Sequence, residues 1–207
     1  MSFPASSSST MSHELTGAVL AGGMSRRMGR PKEGVILWDG RPMIEHVVES
    51  LAALCRRVVI VGACHGLRVA PGYDIIRLAD RSPGQGPLAG IETLLASGLD
   101  TGYLVVACDQ PLLTSHRLRP LLQDGDPAVP RFFRAQDGTE LDPFPGYLPA
   151  AWLPMVRDAL ARDRRSVRAL VRQTRVAWVS IADGLRADLR SVDTPADLAG
   201  LTYRRHA

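Results

Sequence analysis

The sequence predicts an α/β domain with a mostly parallel, mixed central sheet flanked by helices. Three observations carry this. Apolar runs of strand length alternate with amphipathic segments of helix length, and crossovers of that kind favour parallel pairing. Glycines and carboxylates follow directly on the apolar runs, at Gly22, Gly62, Asp80 and Asp109, where open parallel sheets bind ligands. No internal repeat or Pro/Gly/Ser-rich seam divides the 207 residues, a length that suits one domain with a substantial core.

The elements follow in order. Residues 16–21 read as a buried strand that runs into Gly22 and Gly23. Residues 35–38 read as a short strand, with a turn at Asp39 and Gly40. Pro42 then opens a helix to about residue 54, whose Ile44, Val47, Val48, Leu51 and Leu54 share one face. The β-branched run 57–61 is a buried strand ended by Gly62, and 73–78 is another, closed by Asp80. The Pro/Gly loop 81–87 leads to a helix over 88–96 stopped by Gly98. Residues 103–108 form the clearest central strand, with Asp109 at its carboxyl end. The second half is less regular. It reads as helix 115–122 capped at Thr114 or Ser115, strand 128–133, a hairpin-like turn at 136–138, helices 150–161 and 166–173, and strand 176–181. Residues 141–147 hold too much proline for a central strand. Residues 191–198 read as a strand end running into a last helix, with Thr194 as N-cap and Pro195 in first position.

The stretch from Leu20 to Lys32 carries the strongest chemical signal. Gly22 and Gly23 permit a sharp turn and a close backbone approach to a ligand, and successive N–H groups in such a turn form an anion-binding concavity. Arg26, Arg27 and Lys32 add positive charge. Lys32 is the only lysine in the chain, and the other 24 of 25 basic residues are arginine. A lysine is a compact point charge rather than a planar fork, so its single use inside this loop points to a phosphate contact. The loop lacks the Gly-Lys-Ser/Thr ending of a Walker A motif and the third glycine of a dinucleotide fingerprint. The plain alternative is a Gly-Ser turn with solvated arginines.

Asp109 follows a buried strand, a good place to hold Mg²⁺, which favours one or two carboxylates together with substrate phosphates. The alternative is an Asp that starts a turn by bonding its own backbone. Asp80 is either a nucleobase acceptor or a surface loop residue. Gly86 to Gly90 either lets a helix N-terminus approach a ligand or only allows tight helix–sheet packing. Asp193 is a second metal or substrate residue, or a carboxylate at a positive helix end. The basic segment 162–172 faces an anionic cofactor or, as charge runs usually do, solvent. The five histidines have no partner at metal or triad spacing, and there is no Gly-x-Ser-x-Gly elbow.

Composition narrows the class. An apolar share of 45% with 22% charged residues is ordinary globular usage. The net charge of +4 favours anionic ligands, while dispersed arginines with few aromatics argue against nucleic acid. Cys55, Cys64 and Cys108 show no metal spacing, and the odd count reads as reduced thiols in the cytoplasm. No apolar run is long enough to span a membrane. Residues 1–14 read as a disordered, serine-rich tail with no signal-peptide features, with Met11 an alternative start, and residues 15–203 as one domain.

With these residues in hand, the chain resembles the molybdenum cofactor guanylyltransferase family of the nucleotidyltransferases. Four motifs carry the resemblance across residues 15–201. They are the Leu20–Lys32 loop, Gly86-Pro87-Leu88-Ala89-Gly90, Cys108-Asp109-x-Pro111, and Asp193-Thr194-Pro195-x-Asp197-Leu198. The resemblance implies a Rossmann-like fold and transfer of GMP from Mg²⁺·GTP to the terminal phosphate of the molybdopterin form of molybdenum cofactor. Leu20, Ala21 and Gly22 would meet the guanine nucleotide through the backbone, Lys32 would bind its phosphates and Asp80 would sit by the guanine; Gly23 and Gly86 join the nucleotide-binding set, and Lys32, Asp109 and Arg27 are the expected catalytic residues. Asp109 would bind both nucleotide and Mg²⁺, and the cofactor's own phosphate would be the nucleophile. Molybdoenzymes or their chaperones would receive the product.

The chain departs from the family pattern in three places. Pro31 stands where Asp is usual, Asp193 and Ser191 where Asn is common, and Val61-Gly62 where a polar residue often ends the strand. The competing readings are a relative using CTP or a sugar-phosphate acceptor, and a non-catalytic carrier of nucleotide or cofactor.

Overall fold

The structure is a computed structural model and describes residues 15–22, 32–64, 67, 72–123, 125–182 and 186–204. The expected tail at 1–14, together with Gly23, Arg26 and Arg27, lies outside them. Seven strands form one sheet in the order β3-β2-β1-β4-β6-β5-β7. They are β1 (Thr16–Leu20), β2 (Arg57–Val61), β3 (Ile75–Leu78), β4 (Gly102–Ala107), β5 (Arg131–Ala135), β6 (Gly146–Pro149) and β7 (Ala177–Ile181). Neighbours β3, β2, β1 and β4 run parallel, as do β5 and β7, and β6 alone is reversed, antiparallel to both β4 and β5. The helices are α1 (Met43–Ala52), α2 (Pro87–Leu95), α3 (Ser115–Leu118), α4 (Leu153–Ala161), α5 (Val167–Arg172) and α6 (Pro195–Arg204).

The central strands read as unbroken apolar runs because both faces of the sheet are covered. Alternate residues of β4 show this. Leu104 and Val106 point into a cluster with Ile44, Val47 and Leu51 of α1. Tyr103 and Val105 point the other way, into a cluster with Leu88, Ile91 and Leu94 of α2, Trp152, and Val156 of α4. A smaller third cluster joins Val35, Leu37 and Met43 to Val192 and Leu201, with Leu112 and Leu198 packed against it. Among the described residues no helix is long and apolar enough to cross a membrane.

Four expectations are corrected. Residues 35–38 are not a strand: the stretch makes a single bridge, Ile36 to Pro42, and closes a small loop through Leu37 N–H donating to the Arg41 carbonyl at 2.9 Å. The proline-rich 141–147 does contribute to a central strand. β6 begins at Gly146, just past Pro145, and its last residue is Pro149, so its prolines flank the strand or end it, where a missing N–H is tolerated. Gly146 is needed there, since a Cβ would lie 2.8 Å from the Phe132 ring. Helix 115–122 breaks at Pro120 into α3 and a 3-10 turn, Arg119–Leu122. No strand precedes α6: residues 191–193 are irregular and fastened instead to the end of β4.

Candidate active site

The parallel register aligns the carboxyl ends of four strands. Leu78 pairs with Val61, Val61 with Leu20, and Leu20 with Ala107. The ladder runs one step further through Cys108 N–H to the Leu20 carbonyl, 3.2 Å, and Ala21 N–H to the Val61 carbonyl, 2.8 Å. Asp109, Ala21, Gly22 and Gly62 therefore emerge side by side. Asp80 stands two residues beyond β3, three strand spacings or roughly 14 Å from the β4 end.

The glycines here have steric reasons. Gly62 has φ +100°, and a Cβ on it would lie 1.9 Å from the Ala21 carbonyl oxygen. Gly22 has φ +85°, with the Ala63 nitrogen 3.2 Å from the corresponding position. The chain segments leaving β1 and β2 pass each other in backbone contact, which only glycine permits. Gly90, inside α2, faces Leu20 and Val61 at ordinary contact distance, so packing of helix on sheet accounts for it. Gly86 caps α2 with φ +82° and is followed by Pro87 at the helix start.

Three charged residues from distant parts of the sequence meet above β4. Lys32 opens a short 3-10 turn, Lys32–Gly34, and its Nζ donates to Asp109 Oδ2 at 2.9 Å and to Asp193 Oδ1. The third cluster of the core lies beneath them: Val35 follows Lys32, Leu112 follows Asp109, and Val192 precedes Asp193. Asp193 is fixed further by Val192 N–H donating to the Asp109 carbonyl, 2.8 Å, and by the cap of α6. In that cap the Asp193 and Thr194 N–H groups and the Thr194 hydroxyl all donate to Asp197 Oδ2, while Asp197 N–H donates to Thr194 Oγ1. This reciprocal arrangement is a capping box with Asp in place of Glu.

Burial is the largest influence on Lys32 and disfavours its ammonium. The hydrogen bonds and charges of Asp193 and Asp109 together outweigh it, so the pKa stands above the ordinary lysine value. Burial is also the largest influence on Asp109 and pushes its carboxyl upward against the pull of Lys32, with Asp193 adding repulsion. Asp109 Oδ1 is buried and has no hydrogen-bond partner among the described residues. An orphaned carboxylate oxygen of this kind is costly, and it suits a ligand that supplies positive charge.

Asp80 Oδ1 accepts the Ser82 N–H at 2.9 Å, and the Arg81 N–H is tied to Thr93 Oγ1 of α2 at 3.1 Å. Asp80 thus shapes the loop that leads to Gly86. The structure brings together Lys32, Asp109 and Asp193, sets Leu20 at the end of the adjoining strand with Ala21 and Gly22 just past it, leaves Asp80 beyond β3 at the far end of the row, and puts Gly86 at the N-terminus of α2. Four of the five arginines of 162–172 are taken up by acidic neighbours, Arg162 by Asp158, Arg165 by Asp163, Arg168 by Asp142 and Arg172 by Glu140, and Arg164 donates to the Gln173 amide oxygen. They form a solvated, paired face. Sequence reasoning missed Gln110, which is 1% exposed directly beside Asp109. A glutamine between Asp and Pro reads as part of a polar turn, and no sequence signal marks it as buried.

Fold and site together define a nucleotidyltransferase: a Rossmann-like sheet with a glycine turn, one lysine and two carboxylates at its carboxyl edge. Comparison with known proteins gives the family. Residues 17–177 match the MobA-like NTP transferase domain. A probable molybdenum cofactor guanylyltransferase of Deinococcus radiodurans is 34% identical, over 92% of this chain and 95% of that protein. A molybdenum cofactor guanylyltransferase of Xanthomonas euvesicatoria is 32% identical, over 94% and 97%. Among solved structures, molybdopterin-guanine dinucleotide biosynthesis protein A from Archaeoglobus fulgidus superposes with a TM-score of 0.73 at 22% identity, covering 93% of this chain and 99% of that one. The cytidylyltransferase for 2-C-methyl-D-erythritol 4-phosphate from Thermus thermophilus shares the fold at a TM-score of 0.64 and 16% identity, covering 94% of this chain and 100% of that one. The chain belongs to the molybdenum cofactor guanylyltransferase family.

Proposed function

We propose that this enzyme transfers GMP from GTP to the terminal phosphate of the molybdopterin form of molybdenum cofactor, giving a guanine dinucleotide cofactor and pyrophosphate. An oxygen of the acceptor phosphate attacks the α-phosphorus of GTP, and the bond from that phosphorus to the bridging oxygen of the β-phosphate breaks. The single observation that carries the reading is the convergence of Lys32, Asp109 and Asp193 beside the Gly22 turn. The triphosphate lies along the β1 turn, Lys32 binds it, and the guanine extends toward Asp80 and Gly86. The row of strand ends matches the reach of an extended nucleoside triphosphate. Arg27 and Gly23 belong to the same reading through the loop they occupy. No side-chain nucleophile is required, so the protein acts by positioning and by electrostatics.

The donor set fits Mg²⁺. Among the described residues no three metal-binding side chains form a cage, but this ion commonly takes one or two carboxylates and leaves other positions to phosphates and water. Asp109, with its unpartnered Oδ1, and Asp193 supply hard oxygen donors. Held by these residues, the ion would supply charge to offset that of the phosphates during transfer. A cytoplasmic setting and delivery of the product to molybdoenzymes or their chaperones complete the proposal.

Thermal melting with Mg²⁺ and each of GTP, CTP, ATP and UTP tests the nucleotide. Ligand at 100 times its dissociation constant adds about 2.7 kcal/mol of stability. A shift with GTP alone, followed by pyrophosphate release on adding molybdopterin cofactor, supports the proposal. A shift with CTP alone moves the substrate to a cytidylyltransferase. Binding without pyrophosphate release makes the chain a carrier.

A further inference from the structure

We propose that Gln110 is a positioning residue for nucleotidyl transfer: its side-chain amide holds the 189–193 segment against the end of β4, so that Asp193 faces Lys32 and Asp109. This rests on the function proposed above. Asp109 and Gln110 are consecutive but play opposite parts. The Asp109 carboxylate turns to the charged cluster, while Gln110 is sealed into the protein. A buried amide is costly unless its hydrogens find acceptors, and here both hydrogens of Nε2 do. One goes to the Phe144 carbonyl at 2.9 Å and the other to the Leu189 carbonyl at 2.8 Å. The first acceptor is two residues ahead of β6, the strand inserted beside β4. The second is four residues ahead of Asp193.

The 189–193 segment has no regular structure of its own. Among the described residues its polar ties at the β4 end are the Gln110–Leu189 bond, the Val192 N–H to Asp109 carbonyl bond, and the Lys32 contact itself, beside the apolar packing of Val192 and Leu189. The first two act on the same dipeptide from either end of a four-residue span. They fix the backbone that presents Asp193 relative to the backbone that presents Asp109. Removing the first leaves one backbone hydrogen bond to the β4 end, alongside the packing of Val192 in the third cluster and the α6 cap. A displacement of about 1 Å at a reacting centre costs on the order of a hundredfold in rate. Asp109 stays in place because its own position comes from the β1–β4 ladder. The effect of losing Gln110 is therefore expected to pass through Asp193.

The test is a double-mutant cycle between Gln110→Met and Asp193→Ala, read by pyrophosphate release and by Mn²⁺ titration of the protein with GTP. Methionine keeps roughly the length and volume of glutamine and removes the two donors together with Oε1, which is buried and accepts no hydrogen bond among the described residues. Q110M is expected to lower kcat by about tenfold or more while KM for GTP changes by less than about threefold, because the base end is untouched. Mn²⁺ affinity should fall in parallel. In the D193A background the same change should add almost nothing. Amide exchange at Val192 should quicken in Q110M, while exchange at Cys108 stays at the wild-type rate. If Q110M does not fold, Gln110→Asn takes its place, since it keeps the amide but is too short to reach both carbonyls. An equal loss in the wild-type and D193A backgrounds overturns the proposal, as does a variant with unchanged kcat. A D193A protein identical to wild type removes Asp193 from the site and the proposal with it. A wild-type protein that releases no pyrophosphate instead overturns the functional reading.

Discussion

The ammonium of Lys32 lies between the carboxylates of Asp109 and Asp193, the second of them 161 residues further along the chain. A divalent cation shared by those carboxylates needs the same place. Nucleotide phosphates give Lys32 another partner and free the carboxylates, so metal and nucleotide should load together. Without nucleotide, the protein is expected to bind Mn²⁺ weakly. Lys32→Met, which removes one positive charge from beside the ion, should bind it about tenfold or more tightly. Equal Mn²⁺ affinity of the two nucleotide-free proteins, measured by titration calorimetry, would show that Lys32 does not guard the site.

Asp109→Asn should separate activity from stability. The folded pKa of Asp109 lies above its ordinary value of 3.8, so the folded protein holds this proton more tightly than the unfolded chain does. The ionised carboxylate therefore costs stability above the unfolded pKa. Asparagine removes that cost and leaves Lys32 its bond to Asp193. Turnover should fall by at least about a hundredfold, while the melting temperature at neutral pH stays level or rises. A melting temperature several degrees lower would mean that the Lys32–Asp109 pair is structural.

The parts of this fold that could be read from sequence are those where local pattern and tertiary role coincide. β2 and β4 are continuous β-branched or apolar runs because both sheet faces are covered, and α1 shows its buried stripe at helical spacing. β6 was hidden because its prolines lie at its boundaries, where sequence alone does not separate flanking from interrupting. Ile36 and Leu37 alternate between exposed and buried as a strand would, yet their pairing is confined to residues 41–43 of the same small loop. In the site, Lys32 and Asp109 stand out as a lone lysine in a glycine loop and a carboxylate after a strand. Their contact with Asp193 depends on how α6 returns across the sheet edge, and Gln110 is a residue whose burial only the packed structure reveals.

Two glycines that look alike in the sequence should respond differently to alanine. Gly62→Ala places a methyl 1.9 Å from the Ala21 carbonyl at a positive φ, and is expected to cost about 2–4 kcal/mol from strain and displacement together. Because the Ala21–Gly22 turn must move aside, GTP binding should weaken as well. Gly90→Ala meets Leu20 Cδ2 at 3.4 Å within a helix that gains from alanine, so its net effect should stay within about 1 kcal/mol. Urea unfolding of the two variants checks both. A Gly62→Ala protein as stable as wild type would mean that the two crossing backbones part easily.

The cap of α6 gives a pH dependence of known sign. Three donors converge on Asp197 Oδ2, the Thr194 hydroxyl first among the causes, and they hold its carboxyl below the ordinary value of 3.8. A depressed folded pKa means that the unfolded chain binds this proton more readily, so the contribution of Asp197 is fully present above the unfolded pKa. It is lost as pH falls from there through the folded value. Asp197→Ala removes both the acceptor and the titration. The wild-type protein should exceed D197A in urea midpoint by a constant margin from pH 7 down to about 5, and the margin should close progressively below about pH 4. Because Asp197 also receives the Asp193 N–H, the variant should in addition weaken Mn²⁺ binding in the presence of GTP at neutral pH. A margin that widens toward acid would detach Asp197 from the cap.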